Sequence, residues 1–150
     1  MSKFFKKYKG LLIVIVAVLA FVALSILTEA ANKQQTTEAY KDVTSWADNL
    51  KDEEYAVTVI ALTYCSHCHN FNPVITKIAN DYAIPLYWFE IDDLTEEESA
   101  IVTDTYKFDE YTGSSPYIAV THKGEVVSEH VGEMTKSATI KFLKEAGAIK

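Results

Sequence analysis

Ala56-Val57-Thr58-Val59-Ile60-Ala61-Leu62-Thr63, followed at once by Tyr64-Cys65-Ser66-His67-Cys68-His69, decides how this chain is read. The first eight residues are apolar or β-branched without alternation, the pattern of a strand covered on both faces in a mostly parallel sheet. Beyond the cysteines the period changes. Phe71, Val74, Ile75, Ile78, Ala79 and Tyr82 recur at threes and fours, which predicts a helix with one apolar face. A strand-to-helix junction therefore falls on the only 2 cysteines among 150 residues. Cys65 then stands at a helix N-terminus, where unpaired amides and the positive end of the helix dipole stabilise a thiolate, so it is the expected nucleophile. Cys68, one turn along the same face, can close a small ring with it and is expected to be a shielded, resolving thiol.

Further features follow in order: Pro73 inside the helix, Ser115-Pro116, the turn His122-Lys123-Gly124-Glu125-Val126, and Val131-Gly132 ahead of a last amphipathic segment. With these, the chain from roughly Thr37 onward resembles the thioredoxin-like thiol-disulfide oxidoreductases. The resemblance implies an α/β, thioredoxin-like fold, a central mixed sheet flanked by helices, with Pro73 where the family's active-site helix is kinked. It implies a cis bond before Pro116 that sets the backbone of Ser115 beside the active-site sulfur, where a substrate strand can pair with it. Ser115, Pro116 and Tyr64, which stands where the family usually has tryptophan, are then the expected substrate-binding residues. The Ser66-His67 dipeptide is similar to the x-His pairs of oxidants and isomerases rather than the Gly-Pro of reducing members. His67 would donate to the thiolate or, protonated, stabilise it directly, making the disulfide more oxidising. Three departures bear on reductase efficiency: Tyr64 replaces the usual tryptophan, Val59 takes the place of the family's buried acid, for which Glu90 could substitute, and the loop before Pro116 is long.

At the other end, Lys3, Lys6, Lys7 and Lys9 precede Leu11 to Leu27, apolar or small throughout except for Ser25. At about 1.5 Å per residue the stretch reaches roughly 26 Å, enough to span a membrane with help from its flanks. A cleaved signal peptide and an uncleaved anchor compete. The length of the stretch and the poor cleavage site Thr28-Glu29-Ala30-Ala31 favour the anchor. The lysines would stay inside the cell and send everything after Thr28 outside. The expected organisation is residues 1–31 as membrane anchor or signal segment, leading into a short polar tether from Asn32 to Glu38, and residues 32–150 as the thioredoxin-like domain.

Within that domain Tyr40, Val43, Ala47 and Leu50 form a helical stripe, with Trp46 as a packing residue. Leu86 to Ile91 predicts an aromatic-rich strand, and Thr95-Glu96-Glu97-Glu98 a capping box opening a helix that runs to about Tyr106. Alternating helices and strands predict parallel neighbours. Tyr117 to Thr121 and Glu125 to Val131 predict an antiparallel hairpin, followed by a helix carrying Ile140, Leu143 and Ala146 inward and stopped by Gly147.

Composition narrows the function. The chain has 14 basic residues, all lysine, against 21 acids. Setting aside the four N-terminal lysines leaves ten, a balance of −11 for the exported part, which argues against nucleic acid as a partner. A disulfide across so short a loop constrains the unfolded chain little, so catalysis explains the pair better than stability does. Within thiol-disulfide exchange a membrane-anchored thiol reductase is the alternative direction, and three further alternatives stand beside exchange itself. Cys65-Ser66-His67-Cys68-His69 also matches the C-x-x-C-H of c-type haem attachment, with Met134 as a distal ligand. Cys65, Cys68 and His69 give three of the four ligands of a structural zinc site. A redox-inactive binding fold is the third. The exchange reading needs no cofactor or metal. Its expected partners are cysteine-containing exported proteins or peptides and a regenerating redox partner, as in the membrane-tethered thioredoxin-like proteins of Gram-positive bacteria, including the bacteriocin accessory proteins, which the chain resembles.

Overall fold

The computed structural model describes Val16 and residues 18–22, 42–104 and 111–150. The chain divides into two units, Met1–Gln35 and Thr36–Lys150. In the first, Val16 and residues 18–22 are helical with exposed side chains. The rest of the expected membrane segment, the tether and Tyr40 lie outside the described residues. Among the described residues no helix is long and apolar enough to cross a membrane.

The second unit runs α1 (Val43–Asp52), β1 (Ala56–Ala61), α2 (Ser66–Tyr82), β2 (Leu86–Glu90), a 3-10 turn (Ile91–Asp93), α3 (Glu96–Asp104), β3 (Tyr117–His122), β4 (Glu125–Val131) and α4 (Lys136–Glu145). The four strands form one mixed sheet in the order β2-β1-β3-β4. β1 is parallel to β2 but antiparallel to β3, so the expectation of a mostly parallel sheet around β1 is met on one side only. An unbroken apolar run reports helices on both faces, not the direction of the neighbouring strand.

Every residue of β1 is buried. Val57 and Val59 face a cluster with Phe71, Ile75 and Ile78 of α2, Ile118 and Val120 of β3, and Leu143 of α4. Ala56 and Ile60 face the opposite cluster, with Val43, Trp46 and Leu50 of α1 and Val102 of α3. Burying each large aliphatic side chain contributes about 1.5–3 kcal/mol. Trp46 is a packing residue as expected: its ring meets Phe89 edge to face at 5.1 Å, and its indole N–H donates to the buried Thr58 hydroxyl at 3.1 Å.

Local signals set the element ends. Asp42 caps α1 by accepting the amides of Thr44 and Ser45. Thr95 and Glu98 form the reciprocal capping box: the Thr95 amide donates to Glu98 Oε2 at 2.9 Å, and the Glu98 amide to Thr95 Oγ1 at 3.3 Å. β3 and β4 join through Lys123 and Gly124, both at positive φ, 51° and 83°, as a two-residue type I′ turn requires. Gly147, at φ 80°, follows α4 as expected. Tyr82 differs. Expected on the inward face of α2, it is 41% exposed, because Ala83 turns left-handed at φ 53° and the chain reverses to bury Ile84 instead, its amide bonded to Ala79 O at 2.9 Å.

Candidate active site

The register of the sheet gathers four loops at one place. β1 and β2 run parallel with Ala61 beside Glu90, so the segment after β1 and the 3-10 turn after β2 emerge together. β3 runs the other way with Tyr117 beside Ile60, which brings Ser115 and Pro116, just ahead of it, to the same end. Val131 pairs with Tyr117, delivering Gly132 and Glu133 there too.

The first of these loops carries the sulfurs. A turn over residues 62–65, closed by Cys65 N–H to Leu62 O at 3.1 Å, makes Cys65 the N-cap of α2. Its Sγ accepts the Cys68 amide at 3.1 Å, so sulfur occupies the position a serine or aspartate oxygen usually fills. Cys65 and Cys68 are joined in a disulfide, with Cα atoms 5.2 Å apart. Cys65 is half-buried, whereas Cys68 exposes 1% of its surface. An attacking thiolate can therefore reach only the first sulfur. Pro73, within α2, has no N–H for the His69 carbonyl one turn back.

The Ser115–Pro116 peptide bond is cis. Ser115 O stands 3.7 Å from Cys65 Sγ. In the disulfide that sulfur carries no proton, so the contact is proximity rather than a hydrogen bond. Gly132 N–H donates to Pro116 O at 2.8 Å and ties the loop after β4 to the proline. Tyr64, 78% exposed, borders Cys65 on the outer side. His67 projects from the first turn of α2, and its Nδ1 lies 3.1 Å from Glu133 Oε1.

Three contacts fix Thr63, two residues ahead of Cys65. Asp92 Oδ1 accepts its amide at 2.9 Å, Asp92 Oδ2 accepts its hydroxyl at 2.5 Å, and His69 Nε2 donates to its carbonyl at 2.9 Å. The Thr63 hydroxyl, with help from the Thr63 amide, holds the Asp92 carboxyl below its ordinary range. Asp92, Glu133 and the role of His69 were not visible in the sequence. Each acts on a residue brought near by the sheet, and no spacing rule links them.

The family model for Thioredoxin matches residues 36–145. The chain belongs to the thioredoxin family. With the Cys65–Cys68 pair in its place, the protein is a thiol-disulfide oxidoreductase. No curated protein matches it. Among solved structures it is similar to mitochondrial thioredoxin 3 of Saccharomyces cerevisiae in its oxidized form, at 20% identity and TM-score 0.55, over 71% of this chain and 92% of that one. Thioredoxin O2 of Arabidopsis thaliana, in the oxidized state, aligns at 16% identity and TM-score 0.58, over 75% and 95%. Thioredoxin from Aeropyrum pernix does so at 17% and 0.57, over 71% and 84%. At such identities the likeness shows the fold.

Val59 is fully buried, in the apolar core between β1 and α2. Glu90 is half-buried and, by alternation with Leu86 and Trp88, points to the α2 face of the sheet. The haem reading needs both sulfurs as thioethers, whereas here they are bonded to each other. His69 is occupied with Thr63, and Met134 packs against the α2–α4 core. Among the described residues no three His, Cys, Asp or Glu gather as a metal site.

Proposed function

We propose that the protein is a membrane-anchored, extracytoplasmic oxidant or isomerase that exchanges disulfides with cysteine-containing exported proteins or peptides. The observation that carries the reading is the N-cap sulfur of Cys65, which accepts the Cys68 amide, followed two residues on by His67, a side chain able to donate to a thiolate. Both favour the thiolate as a leaving group, and a pair whose reduced form is stabilised is a stronger oxidant.

In the oxidising direction a substrate thiolate attacks Cys65 Sγ, the S–S bond breaks, and Cys68 leaves as a thiolate that takes up a proton. A second substrate thiolate then attacks the substrate sulfur of the mixed disulfide and expels Cys65. The substrate loses two electrons and the cysteine pair gains them, so a regenerating partner must withdraw them again. Tyr64, Ser115 and Pro116 frame the approach to Cys65, with the Ser115 backbone beside the sulfur as the edge an extended substrate segment would pair with. The apolar stretch Leu11 to Leu27 behind four lysines supports the location, with the N-terminus inside and the catalytic domain outside. The likeness to bacteriocin accessory proteins supports exported peptides as substrates.

Equilibration with glutathione buffers tests the direction. A potential well above that of thioredoxin, about −270 mV, is expected, and a value at or below it would make the protein a reductase. Protease protection of the domain in intact cells would sink the location.

A further inference from the structure

His67 meets an anion before any thiolate exists. With the sulfurs joined, its Nδ1 faces Glu133 Oε1 at 3.1 Å. Glu133 is held there from outside the helix: it follows Gly132, whose amide donates to Pro116 O at 2.8 Å. The side chains expose 66% and 40% of their surface, so the pair is water-screened and exchanges partners readily.

Resting on the oxidant reading above, we propose that Glu133 competes with the Cys65 thiolate for His67 and so restrains the oxidising power of the disulfide. When two glutathione thiols reduce the enzyme, the Cys65–Cys68 bond breaks, Cys68 keeps one proton, Cys65 remains a thiolate, one proton goes to solvent, and oxidised glutathione leaves. In the disulfide, Glu133 is the anion that His67 faces. In the reduced enzyme two anions compete for the one imidazole ring of His67, and each weakens the hold of the other. The carboxylate thus favours the oxidised form over the reduced one. Glu133 touches neither sulfur, so it is a positioning residue that sets the potential through His67.

Glu133→Gln keeps an oxygen for the ring but removes the charge, and Glu133→Asp keeps the charge. Both are equilibrated with glutathione buffers, in the wild-type and in the His67→Ala background. An exposed pair limits the expected effect to about fivefold in the equilibrium constant toward the reduced enzyme for Glu133→Gln. That is a rise of about 20 mV. Glu133→Asp stays at the wild-type value, and in His67→Ala the effect of Glu133→Gln shrinks to under about twofold, since the competition needs the imidazole. An unchanged or lowered potential in Glu133→Gln overturns the proposal, and so does an equal shift without His67. The wild-type potential itself tests the oxidant reading, so a low wild-type value with the Glu133→Gln shift intact would sink that reading alone.

Discussion

Cys65 should remain a thiolate at a pH where an ordinary cysteine does not. In Cys68→Ala, reduced, Cys65 is the sole thiol and the amide at position 68 is retained, so the 3.1 Å bond to Sγ still forms. A hydrogen bond to a charged group contributes about 1.5–3 kcal/mol, and the lower figure alone is a factor of about 13 in ionisation. A free cysteine, titrating near 8.5, is about 3% thiolate at neutral pH, and that factor raises the share to about 30%. Intrinsic nucleophilicity falls as the thiolate is stabilised, by about threefold for this change, so alkylation would quicken only about threefold. The direct assay is the ultraviolet absorbance of the thiolate followed against pH. Ionisation over the same range as a cysteine in an unfolded peptide would refute the N-cap argument, because the amide would then give the sulfur nothing.

Replacing His67 by proline should lower the potential by tens of millivolts, a fraction of the roughly 150 mV between thioredoxin and DsbA, as read in glutathione buffers. Asp92 is held below its ordinary value of 3.8 by the bonds from Thr63. Its contribution is therefore complete above that value and is lost as the pH falls through the lowered one, so protection of the Thr63 amide from exchange should persist past 3.8 before fading. Phe71, 1% exposed on the inward face of the active-site helix, should cost about 3–5 kcal/mol when cut to alanine, seen as a lower denaturant midpoint. Gly124→Ala forces a side chain into positive φ, with its Cβ 3.4 Å from Lys51 Cγ, and should cost about 1 kcal/mol in the same assay.

What the sequence made legible is what neighbouring residues decide among themselves. The junction at Cys65, the capping box of Thr95 and Glu98, the turn at Lys123-Gly124 and the stop at Gly147 each follow from a few adjacent side chains and their backbone preferences. The cis bond before Pro116 was expected from family resemblance, and no local rule required it. The antiparallel partner of β1 was hidden because burial on both faces looks the same whichever way a neighbour runs. Tyr82 was misplaced because periodicity does not say where a helix stops, and its left-handed end falls on Ala83, a residue without the usual glycine signal. The contacts of His67 with Glu133, of His69 and Asp92 with Thr63, and of Trp46 with Thr58 depend on which loops or elements the fold brings face to face.

The burial of Cys68 also bears on how the enzyme survives its surroundings. Small oxidants and disulfides in the medium can form adducts only at the outward sulfur, and each such adduct hangs within reach of a thiol that the medium cannot consume. The catalyst carries its own means of shedding any group bound to it through a disulfide, and can outlast conditions that would cap a pair of equally accessible thiols one by one.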